Sequence, residues 1–157
     1  MRFYLANYTA WSTRAKDYVN SDALGEVELH LGTETHLSDA RLRTQRRTMG
    51  KAGWRVVAAP AQNTEKGGPK GHGGAWILAR KHLHSIVDTP VVDTEGGGSY
   101  AGEQWTALRL RRRGRDVIFV VAYFDDSIGL QGVNVERLQR IAAYLKAQQC
   151  LFVIGAD

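Results

Sequence analysis

The chain has 157 residues, of which 43% are hydrophobic and 24% are charged, and this composition excludes a disordered protein. At about 150 residues per domain, the length predicts a single domain. The formal net charge of +5 favours a polyanionic partner such as nucleic acid, although a solvated basic surface without a partner explains it equally well.

Targeting features point to an intracellular protein. The sequence has no run of about 18 apolar residues, so we expect no transmembrane helix and no membrane partner. Polar residues come too early at the N-terminus for a signal peptide. The single cysteine, Cys150, rules out an internal disulfide and a multi-cysteine zinc site. We therefore expect a nuclear or cytoplasmic location.

The first half of the chain predicts alternating strands and helices. The hydrophobic patterns predict strands at 3–8, 26–31, 54–59 and 74–80, and helices at 13–20 and 39–52. Ser12 and Ser38 are the expected N-caps of the helices, and Gly53 is expected just past the end of the second. Polar and apolar residues alternate in 26–31, which predicts one buried face, whereas the apolar run 74–80 predicts burial on both faces.

The second half predicts a hairpin, a helix and a final strand. The pattern predicts a β-hairpin with a basic tip from 105–110 and 117–122, a helix at 133–149 and an apolar strand at 151–154. The helix is expected to turn its apolar residues inward: Val135, Leu138, Ile141, Ala142 and Leu145. Residues 61–73 and 94–102 predict glycine-rich loops, and we expect His72, in the first of them, to be solvated.

This order of elements predicts a layered fold. Strand–helix–strand units followed by a hairpin favour an α/β or α+β sandwich. The chain stops at the tip of the apolar strand 151–154, where no later residue could cover the strand end. We therefore expect the domain to be truncated at its C-terminus.

Five short segments carry a family resemblance. They are LANYT at 5–9, LGTETHL at 31–37, GGAWIL at 73–78, VAYF at 121–124 and IGAD at 154–157. In this order they resemble the first-strand asparagine motif, the Q-E-T-H motif, the G-G-V-A-I-L strand, the V-Y-x-P strand end and the start of the G-D-F-N motif of the endonuclease/exonuclease/phosphatase superfamily. That superfamily includes abasic-site endonucleases and non-LTR retrotransposon endonucleases. Thr33 departs from the family's glutamine, and Ala156 is inserted before Asp157.

The resemblance implies a fold and its extent. The expected architecture is a partial four-layer α/β sandwich, in which two β-sheets are flanked by helices. Residues 1–157 would form a single incomplete domain. The family's C-terminal half, with its late aspartate and its Asp–His pair, has no counterpart in this sequence, and all five histidines precede Tyr123.

The resemblance also implies a site for metal-assisted hydrolysis of a phosphate ester. Glu34 would be a metal ligand, and Asn7 would help to bind the metal or to orient the phosphate. Tyr123 would contact the scissile phosphate through its hydroxyl, and Asp157 would position or deprotonate the attacking water. His36 would orient the metal ligand. Without the resemblance, Glu34 would be an ordinary surface glutamate, Asn7 a strand-end asparagine and Tyr123 a half-buried tyrosine.

The implied activity is that of an Mg²⁺-dependent phosphodiester hydrolase, with Mn²⁺ as an alternative ion. The implied enzyme is a nuclease of the retroelement-endonuclease type that acts on DNA rather than RNA. The isolated chain is expected to be inactive or nearly so, with the missing C-terminal half of the domain as its partner. Two other functions stay open: a non-catalytic nucleic-acid-binding module on the same scaffold, and a phosphatase that acts on inositol phosphate or phospholipid head groups.

Two basic clusters are candidate contacts to a nucleic-acid backbone. Arg43, Arg46 and Arg47 lie on the predicted helix 39–52, and Arg112 and Arg113 lie at the predicted hairpin tip. Each phosphate contact would add to the salt dependence of binding. A solvated helix face explains the first cluster equally well, and a charged hairpin tip that protects a sheet edge explains the second.

Overall fold

The computed structural model describes residues 1–21, 25–62, 71–83 and 104–157, with the side chain of Arg112 left out. The elements are β1 (Phe3–Asn7), α1 (Thr13–Val19), β2 (Leu29–Thr33), α2 (Asp39–Lys51), β3 (Trp54–Ala59), β4 (Ala75–Arg80), β5 (Trp105–Arg112), β6 (Arg115–Ala122), α3 (Val133–Gln148) and β7 (Leu151–Ala156). The predicted loop 94–102 and most of the predicted loop 61–73 lie outside the described residues. None of the helices described is long and apolar enough to cross a membrane.

The strands form two sheets. The first has the order β1-β2-β4-β3, with β1 parallel to β2 and with β4 antiparallel to both of its neighbours. The second has the order β5-β6-β7, with β5 and β6 antiparallel and β7 parallel to β6. The predicted hairpin is confirmed, and its turn lies at Arg113 and Gly114, between the paired residues Arg112 and Arg115.

The core has three parts, which separate four layers. Between the sheets, residues such as Leu31 and Ile77 pack against Leu108 and Phe119. A second cluster joins the outer face of the first sheet to α1 and α2, and a third joins the outer face of the second sheet to α3. The arrangement helix, sheet, sheet, helix is the predicted four-layer α/β sandwich.

The burial predicted for the second strand is wrong. All five residues of β2 are buried, rather than one face, because β2 lies inside its sheet between β1 and β4 and both faces are covered. Ser38 is at the N-cap position of α2 as predicted, although its side chain makes no cap hydrogen bond, and Ser12 caps α1 as predicted by accepting from the amide of Ala15.

The inward face of α3 also differs from the prediction. Leu138 is 44% exposed, and Ala142 is exposed as well. Asn134 and Arg137 are buried instead, together with the predicted Ile141. The apolar pattern misplaces the inner face because these two polar side chains bond to backbone atoms of the loop that follows β6, which satisfies them inside the protein.

His30 is a buried histidine in the first sheet. Its ring lies edge-on to Trp54, at 5.2 Å between centroids, and to Tyr4, at 5.7 Å. Within the described residues neither ring nitrogen has a hydrogen-bond partner. Burial, with a smaller contribution from the charge of Arg80, lowers the pKa of His30 to about 4. The ring is therefore neutral in the folded protein at physiological pH.

This neutral histidine predicts acid sensitivity. As the pH falls from 6.5 to about 4, the unfolded chain binds a proton at His30 before the folded chain does. Stability should therefore fall through this window, by about 3 kcal/mol if the full difference in pKa is expressed. Urea unfolding of the wild type and of His30→Phe between pH 7 and pH 4 measures the effect. We expect a flatter profile for the variant, and equal slopes would contradict this account.

Candidate active site

The four main site residues predicted from the sequence lie where strands end. Asn7 is the last residue of β1, Glu34 follows β2, Tyr123 follows β6 and Asp157 follows β7. Because β1 is parallel to β2 and β6 is parallel to β7, the two site residues of each sheet lie at the same end of its strands. A hydrogen bond between Asn7 and Asp157 joins these strand ends across the sandwich. The carboxyl ends of parallel strands are a common place for a ligand site in α/β proteins.

Asn7 fixes the side chain of Asp157. Its amide nitrogen donates to a carboxylate oxygen of Asp157, a residue 150 positions further along the chain. Its amide oxygen accepts from the backbone N–H of Thr9 at 2.7 Å. The two bonds together set the orientation of the amide, and they aim its donor at the carboxylate.

Tyr123 lies beside the acidic groups of the site. Its side chain is buried, and burial, followed by the negative charge of Glu34 and of Asp125, Asp126 and Asp157, raises its pKa to about 12. The phenol therefore keeps its proton at neutral pH and can donate a hydrogen bond to an anion. The next residue, Phe124, donates its N–H to the Asp157 carbonyl at 2.9 Å, which joins the residues after β6 to the end of β7.

The turn that carries Glu34 has an unusual backbone. Glu34 and His36 both have φ of +51°, a left-handed conformation that costs a residue with a side chain about 1 kcal/mol or more. The turn is held by two glycine carbonyls: His36 N–H donates to Gly73 at 2.9 Å, and Thr35 N–H donates to Gly74 at 3.5 Å. Such strained positions often occur at functional sites.

Close packing behind Tyr123 requires glycine at position 73. Its φ is +74°, and a Cβ there would lie 1.6 Å from the side-chain oxygen of Gln104 and 2.6 Å from Cδ1 of Tyr123. The Gln104 side-chain oxygen accepts from Gly74 N–H at 2.9 Å, and the Gln104 carbonyl accepts from Tyr123 N–H at 2.8 Å. Gln104 thus ties the glycine segment to the end of β6, a role for which the sequence carries no signal.

The first turn of α3 supports the other side of Tyr123. The buried guanidinium of Arg137 donates to the Tyr123 carbonyl at 2.6 Å. Asn134 accepts from Asp125 N–H at 3.1 Å and donates to the Asp125 carbonyl at 2.8 Å. These residues were missed because a polar residue in a helical pattern predicts an exposed position.

Two histidines approach the same place. His72 is half-buried rather than solvated as predicted, and its Nδ1 lies 3.1 Å from the Tyr123 hydroxyl. The predicted residue His36 stacks on His72, with 5.9 Å between ring centroids and 25° between ring planes.

The predicted basic residues make no hydrogen bond or ion pair with Asn7, Glu34, Tyr123 or Asp157 among the residues that the structure describes. On α2, Arg43 pairs with Asp39 at 3.1 Å, Arg46 donates to the Ala58 carbonyl at 3.4 Å, and Arg47 is exposed. Arg113 lies at the far end of the eight-residue strand β6 from Tyr123, which corresponds to about 26 Å. The side chain of Arg112 lies outside what the structure describes.

The donor atoms of the cluster suit a hard cation. Within the described residues no group of three or more His, Cys, Asp or Glu side chains could hold a metal ion. Mg²⁺ needs fewer protein ligands than that, because it keeps several waters and is commonly bound by one or two carboxylates. Glu34 and Asp157 carry carboxylates at this end of the sandwich, and Asn7 contacts Asp157 through its amide nitrogen while its amide oxygen accepts from Thr9 N–H. Carboxylate oxygens are the ligands that Mg²⁺ prefers, and its binding at this place stays a prediction.

The raised pKa of Tyr123 gives a direct test of this geometry. Glu34→Gln or Asp157→Asn removes a negative charge near the phenol, so each should lower the pKa of Tyr123 from about 12 toward the ordinary value of 10.0. NMR titration of ¹³C-tyrosine-labelled protein, with Tyr123→Phe for assignment, measures it. A pKa that neither variant changes would show that the carboxylates lie far from the hydroxyl.

Comparisons with known proteins bear on the fold. No family model matches the sequence, and no curated protein matches it. Among solved structures, the endonuclease domain of TRAS1, a telomere-specific non-LTR retrotransposon, is 17% identical over 99% of this chain, with a TM-score of 0.59. An AP endonuclease from Archaeoglobus fulgidus is 18% identical over 98%, with a TM-score of 0.55. An endonuclease/exonuclease/phosphatase family protein from Leptotrichia buccalis is 10% identical over 100%, with a TM-score of 0.62.

The chain has the endonuclease/exonuclease/phosphatase fold. It covers 57%, 56% and 66% of these three solved chains, so it spans just over half to about two thirds of their length. The resemblance inferred from the five motifs is confirmed at the level of the fold. In this endonuclease/exonuclease/phosphatase scaffold, four of those motifs place the cluster of Asn7, Glu34, Tyr123 and Asp157 at one end.

Proposed function

We propose that this chain belongs to a metal-dependent phosphodiester hydrolase that cleaves nucleic acid, a nuclease of the retroelement-endonuclease type with DNA as its substrate. One observation carries the proposal. Two carboxylates, a protonated phenol and an amide come from four strand ends and meet at one end of the sandwich. The fold shared with the TRAS1 endonuclease domain and the Archaeoglobus AP endonuclease supports it.

Each of the four residues would have its own role. Glu34 and Asn7 would hold Mg²⁺, or Mn²⁺ in its place, and the bound ion would polarise the phosphoryl oxygen. Tyr123 keeps its proton and would donate a hydrogen bond to a non-bridging phosphate oxygen, where negative charge grows during the reaction. Asp157, oriented by Asn7, would accept a hydrogen bond from the attacking water.

Two of the outer strands in the described sheets support a further part of the proposal. The outer strands β1 and β7 carry exposed apolar side chains: Phe3, Leu5, Leu151, Phe152 and Ile154. Leu151 is 61% exposed and Phe152 is 54% exposed, and such rows on open edges are typical of surfaces that another segment covers. We propose that the C-terminal half of the domain, the length by which the solved chains exceed this one, packs there and completes the site.

Metal binding by Glu34 tests the site without relying on catalysis. We expect Mn²⁺ to broaden the NMR signals of Asn7, Glu34 and Asp157, and Glu34→Gln to weaken Mn²⁺ binding about tenfold, because the neutral amide loses the charge attraction. Glu26→Gln is the matched control, since Glu26 is exposed near the opposite end of β2 and pairs with Arg2. Equal affinities for Glu34→Gln and the wild type would remove Glu34 from the site.

Cleavage assays with Mg²⁺ test the activity and its rivals. We expect little or no cleavage of DNA by this chain alone, and cleavage of DNA in preference to RNA or a phosphoinositide by a form extended at its C-terminus. Robust turnover by this chain that disappears in Glu34→Ala would contradict the expected inactivity while supporting the site. Binding that is steeply salt-dependent, independent of Mg²⁺ and unchanged in Glu34→Ala would favour the non-catalytic binding module.

A further inference from the structure

His72 is held in place by three separate contacts. Its backbone forms a two-way bridge with Gln62, in which each N–H donates to the other residue's carbonyl, at 2.8 and 3.1 Å. Its ring stacks on His36, and its Nδ1 lies 3.1 Å from the Tyr123 hydroxyl oxygen. A half-buried ring with a fixed backbone and a fixed plane has lost most of its rotational freedom, so the Nδ1 atom is preorganised toward Tyr123.

The direction of the hydrogen bond between His72 and Tyr123 decides what the phenol can do. If Tyr123 donates to Nδ1, its only hydrogen is used and none is left for a phosphate. If Nδ1–H donates to the phenolic oxygen, the Tyr123 hydrogen is free for another acceptor. The second arrangement is favoured because it leaves the Tyr123 hydrogen free to turn toward the negative charges of Glu34, Asp125 and Asp157 that act on this side chain.

We propose that His72 is a positioning residue of the site, whose Nδ1–H donates to the phenolic oxygen of Tyr123 and turns the Tyr123 hydrogen toward a bound phosphoryl oxygen. The proposal rests on the proposed function for the identity of the anion. The proposal adds to the site a residue of the predicted glycine-rich loop 61–73. The ring of His72 is held by stacking on His36. His72 itself does not touch the substrate.

The protonation of His72 tests the proposal on the wild-type chain alone. In a long-range ¹H–¹⁵N spectrum of ¹⁵N-histidine-labelled protein, His72→Phe assigns the signals. We expect a hydrogen on Nδ1. An unprotonated Nδ1 would overturn the proposal whatever the binding measurements give, because Tyr123 would then be the donor. This measurement needs no catalysis and no ligand.

Binding of inorganic phosphate in the presence of Mg²⁺, followed through the ring signals of Tyr123, gives a second test. His72→Phe keeps a ring that can stack on His36 but removes the donor, and His72→Asn keeps a side-chain N–H at a similar distance but loses the stacked ring. We expect His72→Phe to weaken phosphate binding about 5- to 10-fold and His72→Asn to stay within about twofold of the wild type.

The outcomes separate this proposal from the proposed function. Weak binding in both His72 variants, or in neither, would overturn the role of the Nδ1–H. If phosphate affinity is also unchanged in Glu34→Gln and Tyr123→Phe, the site itself is wrong and the role of His72 fails with it. If the wild type does not bind phosphate, the protonation of His72 Nδ1 alone decides whether the proposal stands. Amide spectra of both variants that match the wild type show that the fold is intact.

Discussion

The two sheets approach each other closely where Gly155 of β7 faces Leu5 of β1. A Cβ at Gly155 would lie 2.7 Å from Cδ1 of Leu5, so a side chain at this position would require the Leu5 side chain to move. Two residues further along each chain segment, Asn7 donates a hydrogen bond to Asp157. The site depends on this spacing, because Asn7 and Glu34 belong to one sheet and Tyr123 and Asp157 to the other.

Several locally unfavourable features occur together around Tyr123. Glu34 and His36 have left-handed backbones, and negative charge gathers around a buried phenol. Each is offset by specific contacts nearby. The carbonyls of Gly73 and Gly74 hold the Glu34 turn, and Arg137 holds the Tyr123 carbonyl. Strain that is retained by its own set of hydrogen bonds is consistent with a site whose geometry is set before a ligand arrives.

Sequence reasoning succeeded where the signal is local. The strands β3 and β4 and the hairpin of β5 and β6 follow from apolar runs bounded by Pro60 and by the Arg113-Gly114 turn. The candidate residues Asn7, Glu34, Tyr123 and Asp157 were found through short motifs, and the structure brings them to one place. Their chemical roles stay predictions. The basic residues of α2 and the hairpin were chosen by charge alone, which carries no information about distance to the site.

The amino-acid sequence by itself determined the types and order of the secondary-structure elements, since periodicity and turn residues act over a few positions. Only the tertiary structure decided that both faces of β2 are buried, that Arg137 and Asn134 point inward, and that His72 reaches Tyr123. These features depend on contacts between residues far apart in the chain. His72 and Tyr123 are separated by 51 positions, and the packing of two sheets, rather than any local pattern, brings them within hydrogen-bonding distance.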